Sequence, residues 1–328
     1  MNSLNNAIYN ISTLINDDFK QFEETYSKSL NSNVKLINKV INYISKKKGK
    51  QLRPTLTLLC ARISGTPTSN TYYAAALVEI LHVATLIHDD VVDEADLRRK
   101  WPSINRIWKN KIAILVGDYM FSKALSNMIH LRNFDALELL STTAERLSQG
   151  EILQIEKALK KDMTEEIYYE MIGDKTASLF SSACKLGAIS VNATPEQQEA
   201  LFKFGEYMGI AFQIKDDLFD VIGKLDEVGK PIGFDVKKNM LTLPFIHLLR
   251  EIEEKNKKSI LRKIKYHAKK NELDKIKSII NTSGSLNYSK EQLNKFTNKA
   301  KDSLDLFNES PEKLALIELL NFNLNRKY

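Results

Sequence analysis

The stretch from Ala74 to Val92, AAALVEILHVATLIHDDVV, carries apolar residues on nearly every side of the helix it would form. A helix apolar all round is one surrounded by other helices, so this segment predicts a helical core rather than a surface element. A second stretch, GIAFQIKDDLFDVIG from Gly209 to Gly223, has the same character and then turns acidic. Outward from these two, residues 68–101, 118–149, 245–283 and 285–310 contain neither glycine nor proline, and apolar residues recur there at three- and four-residue intervals. The breaks fall between the windows, at Gly65-Thr66-Pro67, Trp101-Pro102, Asn192 to Pro195 and Gly223 to Pro231. Thr194-Pro195-Glu196-Gln197 reads as an N-cap with proline at the first helical position. No strand–turn–strand pattern and no internal repeat stands out. The expectation is an all-α protein, a single domain of ten or more helices over residues 1–328.

Composition is that of an ordinary globular chain, 43% hydrophobic and 27% charged over 328 residues, which excludes a disordered polypeptide. Cys60 and Cys184 are too few for a disulfide framework and sit in apolar or small-residue runs, the setting of buried thiols in a reducing compartment. The first residues lack the basic, apolar and cleavage regions of a signal peptide, and no run is long enough to span a bilayer. A cytoplasmic protein is expected. The net charge of +7 owes much to lysines between residues 250 and 302, which alternate with apolar residues as on a solvated helix face. No nucleic-acid module accompanies them, so no nucleic-acid partner is expected. Anionic small ligands, or peripheral contact with a membrane surface, fit the charge.

Both apolar helices end in Asp-Asp-x-x-Asp: Asp89, Asp90 and Asp93 in the first, Asp216, Asp217 and Asp220 in the second. Residues four apart share a helix face, so Asp89 pairs with Asp93 and Asp216 with Asp220, while Asp90 and Asp217 point elsewhere and read as partner groups. Like charges at this spacing repel, and near a helix C-terminus they also meet the negative end of the macrodipole. With 41 acidic residues some clustering on a solvated face would be ordinary, but Leu86, Ile87, Val91 and Val92, and Leu218, Phe219, Val221 and Ile222, flank these clusters with apolar side chains. A cation is the natural compensation. With five histidines and no His-x-x-x-His or Glu-x-x-His pair beside the carboxylates, the donor set suits a hard ion such as Mg²⁺, held by few carboxylates plus phosphate oxygens and water. Basic residues in turn settings supply the other half: Lys50 and Arg53 around Gly49 to Pro54, Arg98 and Arg99 after the first motif, Lys175-Thr176 after Gly173-Asp174, and Lys230 after Gly229. Arginine can grip phosphate bidentately and lysine acts as a point charge.

In this order the motifs resemble those of the trans-type isoprenyl diphosphate synthases, the polyprenyl synthetases, from roughly Lys35 to Leu249. The matching residues are Gly49-Lys50-x-x-Arg53-Pro54, the first aspartate motif with Arg98 and Arg99, and Gly117-Asp118-Tyr119. Gly150-Glu151-x-x-Gln154, Lys175-Thr176, Phe212-Gln213 leading into the second aspartate motif, and Gly229-Lys230-x-x-Gly233-x-Asp235 complete the set. The resemblance implies the isoprenoid synthase fold, a large helical bundle around a substrate cavity, a homodimer, and Mg²⁺ as cofactor. It implies Asp89, Asp93 and Asp216 as metal ligands, with Asp90, Asp217 and Lys175 joining them in the catalytic group. Lys50, Arg53, His82 and Arg99 would hold isopentenyl diphosphate; Arg98, Lys175, Thr176, Gln213 and Lys230 would serve the allylic diphosphate. Taken alone, His82 on its apolar helix would read as a core histidine.

The implied reaction ionises the allylic diphosphate, adds the isopentenyl double bond to the cation, and passes a proton to the released diphosphate. Ala84 and Thr85, about one turn or 5.4 Å before Asp89, are small where short-chain members carry aromatics, which implies a long-chain product. Met120, Phe121 and Leu125 are candidates for a deeper floor. The alternatives are a farnesyl or geranylgeranyl synthase, differing only at that floor, and a non-catalytic subunit of a related synthase. A terpene cyclase would lack both the second Asp-Asp-x-x-Asp and the isopentenyl site. Two positions depart from the family pattern: Lys48 replaces a glycine, and Met240 replaces a lysine whose charge Lys237 or Lys238 would have to supply from another angle.

Overall fold

The computed structural model describes residues 11–47, 49–98, 101–160, 162–222, 241–253, 255, 257, 260 and 278–326. Along the described chain run helices α1 (Asn16–Ser29), α2 (Lys35–Ser45), α3 (Leu52–Ser64), α4 (Ser69–Val92), α5 (Ile104–Leu131), α6 (Phe134–Lys160), α7 (Glu165–Ile172), α8 (Ser178–Ile189), α9 (Pro195–Ile222), α10 (Leu243–Glu251), α11 (Ser285–Asp302) and α12 (Pro311–Asn325). The all-α expectation holds, with one addition. Leu97–Arg98 (β1) and Trp101–Pro102 (β2) pair as a two-residue antiparallel ladder that the sequence pattern did not announce. Four residues are too few to show a period of two.

Residues group into two compact units, Met1–Ala144 with Leu179–Gly205 and Ser303–Leu319, and Glu145–Ser178 with Glu206–Asp302 and Leu320–Tyr328. In the first, α4 packs against α1, α3 and α5, and every residue from Ala74 to Leu81 is buried. That is the surrounded helix the apolar run predicts. Phe22, Leu56, Leu58, Leu59, Leu77, Phe180 and Phe204 are fully buried around it. Cys60 and Cys184 are both fully buried and unlinked, and burial, with Cys184 alongside, pushes the Cys60 thiol well up. A polar cluster ties α1 into this unit: Arg62 donates to Asp18 at 2.9 Å and to Glu312 at 3.4 Å, and Tyr72 donates to Asp18 at 2.9 Å. The second unit has its own core, built on Tyr168, Ile214, Leu218, Leu243, Leu248, Ile280 and Leu293.

Several boundaries have identifiable causes. At the start of α9, Gln197 N–H donates to Thr194 Oγ1 at 3.3 Å and Thr194 N–H donates to Gln197 Oε1 at 3.1 Å, a reciprocal cap on top of the expected proline. The window 118–149 is not one helix, because Arg132 turns left-handed (φ 48°) and Asn133 Oδ1 accepts from Ala136 N–H at 2.9 Å to start α6. Asparagine caps need no glycine or proline, so a search for those two residues passes over this break. The window 285–310 likewise ends its helix at Asp302. On α11 the buried residues Ser285, Ser289, Leu293, Thr297 and Ala300 form one face, and Lys290, Lys295, Lys299 and Lys301 are exposed, as the lysine pattern predicts. Among the described residues no helix is long and apolar enough to cross a membrane.

Candidate active site

The first aspartate motif closes α4. Asp89 lies in its last turn and Asp93 is the C-cap, its N–H donating to Asp89 O at 2.7 Å. Both carboxylates stand at the negative end of the helix, the arrangement that calls for a cation. Both are partly exposed, whereas Asp90 is 4% exposed. Arg98 Nε donates to both Asp90 oxygens, at 2.8 and 2.9 Å, and Nη2 lies 2.8 Å from Oδ1. Arg98 thus grips the buried Asp90 carboxylate through Nε and Nη2. The Asp90 carbonyl accepts from Ala95 N–H at 2.9 Å and Asn105 Nδ2 at 3.2 Å, which fastens the turn after the motif. Asp90 is thus held by protein groups on both its carboxylate and its carbonyl.

Behind the motif, the His88 ring occupies the space above Gly117. A Cβ there would lie 2.2 Å from Nε2, which gives the glycine of Gly117-Asp118-Tyr119 a steric reason. His88 Nε2 is 3.3 Å from Asp118 Oδ1.

Lys50 and Arg53 stand where α3 begins. Gln51 takes a left-handed conformation (φ 46°) as the N-cap, and Pro54 fits the first turn, where its missing N–H costs nothing. Lys50 is exposed. Arg53 Nη1 donates to His82 Nε2 at 3.1 Å, and the guanidinium lies 4.4 Å from the Phe180 ring centroid. Arginine has no acceptor, so His82 takes this bond as a neutral ring with its proton on Nδ1. Two residues expected at the isopentenyl site are therefore in contact.

In the second unit Gly173–Ala177 is a single π-helical turn between α7 and α8. The sequence pattern shows only the glycine. A π-turn inserts a residue without altering composition, and such turns are frequent at functional sites. It presents Lys175, whose ammonium pairs with Glu151 and accepts no bond but donates to Gln154 Oε1 at 3.1 Å. Asp174 accepts from Arg146 Nε at 2.6 Å. Gly150 lets α6 approach closely, since a Cβ there would meet Lys175 N at 2.6 Å. Next to it, the Thr176 hydroxyl donates to Gln213 Oε1 at 2.8 Å, and Gln213 Nε2 donates to Asp217 Oδ1 at 2.9 Å. Tyr168 OH donates to Asp217 Oδ2 at 2.6 Å; burial first, then Asp217, pushes this phenol far up and keeps it a donor. Asp217, 4% exposed, is held on both oxygens as Asp90 is.

Asp216 remains partly exposed and accepts from Arg326 Nη2 at 2.5 Å. Arg326 also donates to Phe212 O at 3.0 Å and stacks on Phe212 at 4.2 Å. A single arginine 110 positions away carries no motif, so sequence reasoning had no signal for it; the same holds for Tyr168. Arg99, Lys230 and Met240 lie outside the described residues, as do Gly223 to Asp235. Ala84 is fully buried, Thr85 is partly exposed with its hydroxyl on His82 O at 2.9 Å, and Met120 is fully buried. Leu125 is 47% exposed, on the outside of α5 rather than beneath the motif.

The residues present fit a divalent cation of the magnesium type. Asp90 and Asp217 are buried on protein donors, whereas Asp89, Asp93 and Asp216 are partly exposed hard oxygen donors, Asp216 with Arg326 on Oδ1. Partly exposed carboxylates suit a hard ion that shares its shell with phosphate and water.

A helical enzyme with two such helix ends and basic turns is a prenyltransferase in architecture. The chain matches the polyprenyl synthetase family over residues 34–283 and belongs to it. It is 33% identical over 316 residues to the octaprenyl diphosphate synthase of Escherichia coli (strain K12), covering 96% of this chain and 98% of that one. Its fold is similar to that of a decaprenyl diphosphate synthase from Rhodobacter capsulatus, with a TM-score of 0.92, 32% identity and coverage of 97% and 98%. A polyprenyl synthase from Caulobacter crescentus CB15, solved with calcium and isoprenyl diphosphate, matches with a TM-score of 0.91, 29% identity and 98% coverage of each chain.

Proposed function

We propose that this protein is a long-chain trans-polyprenyl diphosphate synthase, adding isopentenyl diphosphate repeatedly to an allylic diphosphate. The observation that carries the reading is that each aspartate motif has its second member locked by protein donors while the first stands partly exposed at the end of an apolar helix. Asp89, Asp93 and Asp216 are the magnesium ligands. Mg²⁺ bound there supplies Lewis-acid stabilisation of the departing diphosphate. Lys50 and Arg53, with His82 fixing the guanidinium, hold isopentenyl diphosphate, and Arg99 adds a further cation. Lys175, held by Glu151 and Gln154, and Arg98 meet the allylic diphosphate, to which Lys230 contributes. Thr176 and Gln213, bonded to each other and through Gln213 to Asp217, serve the allylic diphosphate and aim that carboxylate. The apolar wall of α4 excludes water from the carbocation.

The whole chain works as one catalytic domain, consistent with relatives that align along nearly its full length. A homodimer is supported by the exposed apolar residues Ile114, Leu125 and Ile129 along α5 and by Phe134, 87% exposed, at the start of α6. Two unlinked thiols fit a cytoplasmic location.

The test is incubation with isopentenyl and farnesyl diphosphates and Mg²⁺, with products sized by chromatography. Products longer than four isoprene units are expected, and chelation of the metal abolishes them. Asp89→Ala and Asp216→Ala each lower turnover on the order of 10²-fold or more. Near-normal condensation by either variant, or a product that stops at three or four units, overturns the corresponding part of the assignment.

A further inference from the structure

Between Lys35 and Gln51 the sequence holds six lysines and no aspartate or glutamate. Lys35 and Lys39 on α2 and Lys46 at its C-cap fall within an arc of about 40°. With Tyr43 and Trp108 they line a shallow groove of ≈ 520 Å³ on the first unit. Both tryptophans of the chain belong to this surface. The Lys47 ammonium sits 3.4 Å from the Trp101 ring centroid and 4.0 Å from that of Tyr43; Tyr43 in turn meets Trp108 edge-on at 5.2 Å. Tyr43 OH donates to Pro102 O at 2.7 Å, fastening the β1–β2 ladder to α2. Around this cluster Trp101 is 56% exposed, Leu97 62% and Val34 53%. Asp96, an acidic neighbour just before the ladder, is matched by Arg106 at 3.3 Å.

We infer that this face docks on an anionic phospholipid bilayer. Tryptophan and tyrosine are the side chains that settle at a membrane interface, because each joins an apolar ring to a polar tip. Lysines flanking them meet anionic headgroups, and exposed aliphatic side chains give shallow insertion. An acidic protein or a nucleic acid would use the charge but not the aliphatics. One face of Trp101 is already taken by an ammonium and Trp108 by a tyrosine edge, which leaves little room for a stacked base. Lys50 and Arg98, which are assigned to chemistry, border this surface, but Lys35, Lys39, Lys46 and Trp101 are not among the residues assigned to it, and only the lipid nature of the product links this inference to the proposed function.

The experiment is flotation of the intact protein with vesicles, one set of phosphatidylcholine alone and one with phosphatidylglycerol added. Co-flotation with the anionic set only, weakening as salt rises, is expected. Each lysine near such a surface contributes about fivefold in affinity, so K35Q/K39Q/K46Q loses on the order of a hundredfold. Trp101→Ser also weakens flotation. Neither variant changes condensation of soluble substrates or the circular dichroism melting curve. The inference is overturned if the native protein stays with the soluble fraction in both sets, if it floats equally with neutral vesicles, or if the triple variant floats like wild type. Preferential capture by RNA, or a salt-dependent fall in kcat/KM in the triple variant without any loss of flotation, would reassign the lysines to nucleic acid or to substrate steering. Either result refutes a bilayer contact.

Discussion

Thr85 and Ala84 occupy neighbouring positions one turn before Asp89 but meet different surroundings. Ala84 has no exposed surface, so a phenylalanine there must displace core atoms at a cost of about 1–3 kcal/mol. Thr85 keeps part of its surface and shares the face of Asp89. Thr85→Phe should therefore shorten the product with little loss of stability, whereas Ala84→Phe should lower the unfolding midpoint in urea as well. An unchanged product from Thr85→Phe would move the floor to another residue. At this scale much was legible before any coordinates. The four-residue spacing separates Asp89 and Asp93 from Asp90, and Asp90 is the one found buried on an arginine. What stayed hidden were the partners. Tyr168 and Arg326 reach Asp217 and Asp216 across 49 and 110 positions of chain, a distance no local pattern reports.

Helices α6 and α7, with the π-turn between α7 and α8, show how an element rather than a residue sets the position of Lys175. Gly150 on α6 admits the turn's backbone, and Glu151 and Gln154 on the same helix hold the ammonium. Gly150→Ala should force the two apart, costing about 1–3 kcal/mol by overpacking and lowering kcat through a displaced Lys175. Urea unfolding with parallel steady-state kinetics checks this. A variant that loses stability but keeps full kcat would show that the approach of α6 does not matter to the chemistry. Element ends divide by the kind of signal they use. The reciprocal Thr194–Gln197 cap stood in the sequence as threonine, proline and glutamine in order. The α5–α6 break rests on Arg132 and Asn133, and the π-turn on one extra residue inside continuous helical composition, so apolar periodicity runs over both without interruption.

The molecule as a whole presents apolar surface that a solitary chain would not be expected to keep. Ile129 and Phe134 are 72% and 87% exposed beside a large buried core. Light scattering should give twice the chain mass for the native protein, and Ile129→Asp with Phe134→Asp should shift it to one chain without melting the helices. A native mass of one chain would leave those side chains to another partner. The two thiols have a different consequence. Cys60 and Cys184 are fully enclosed, and burial keeps the Cys60 sulfur protonated, so neither offers a nucleophile to a maleimide under native conditions. The enzyme thus arrives as its own cysteine-free background: a fluorophore or spin label attached at one engineered surface position would report from that position alone.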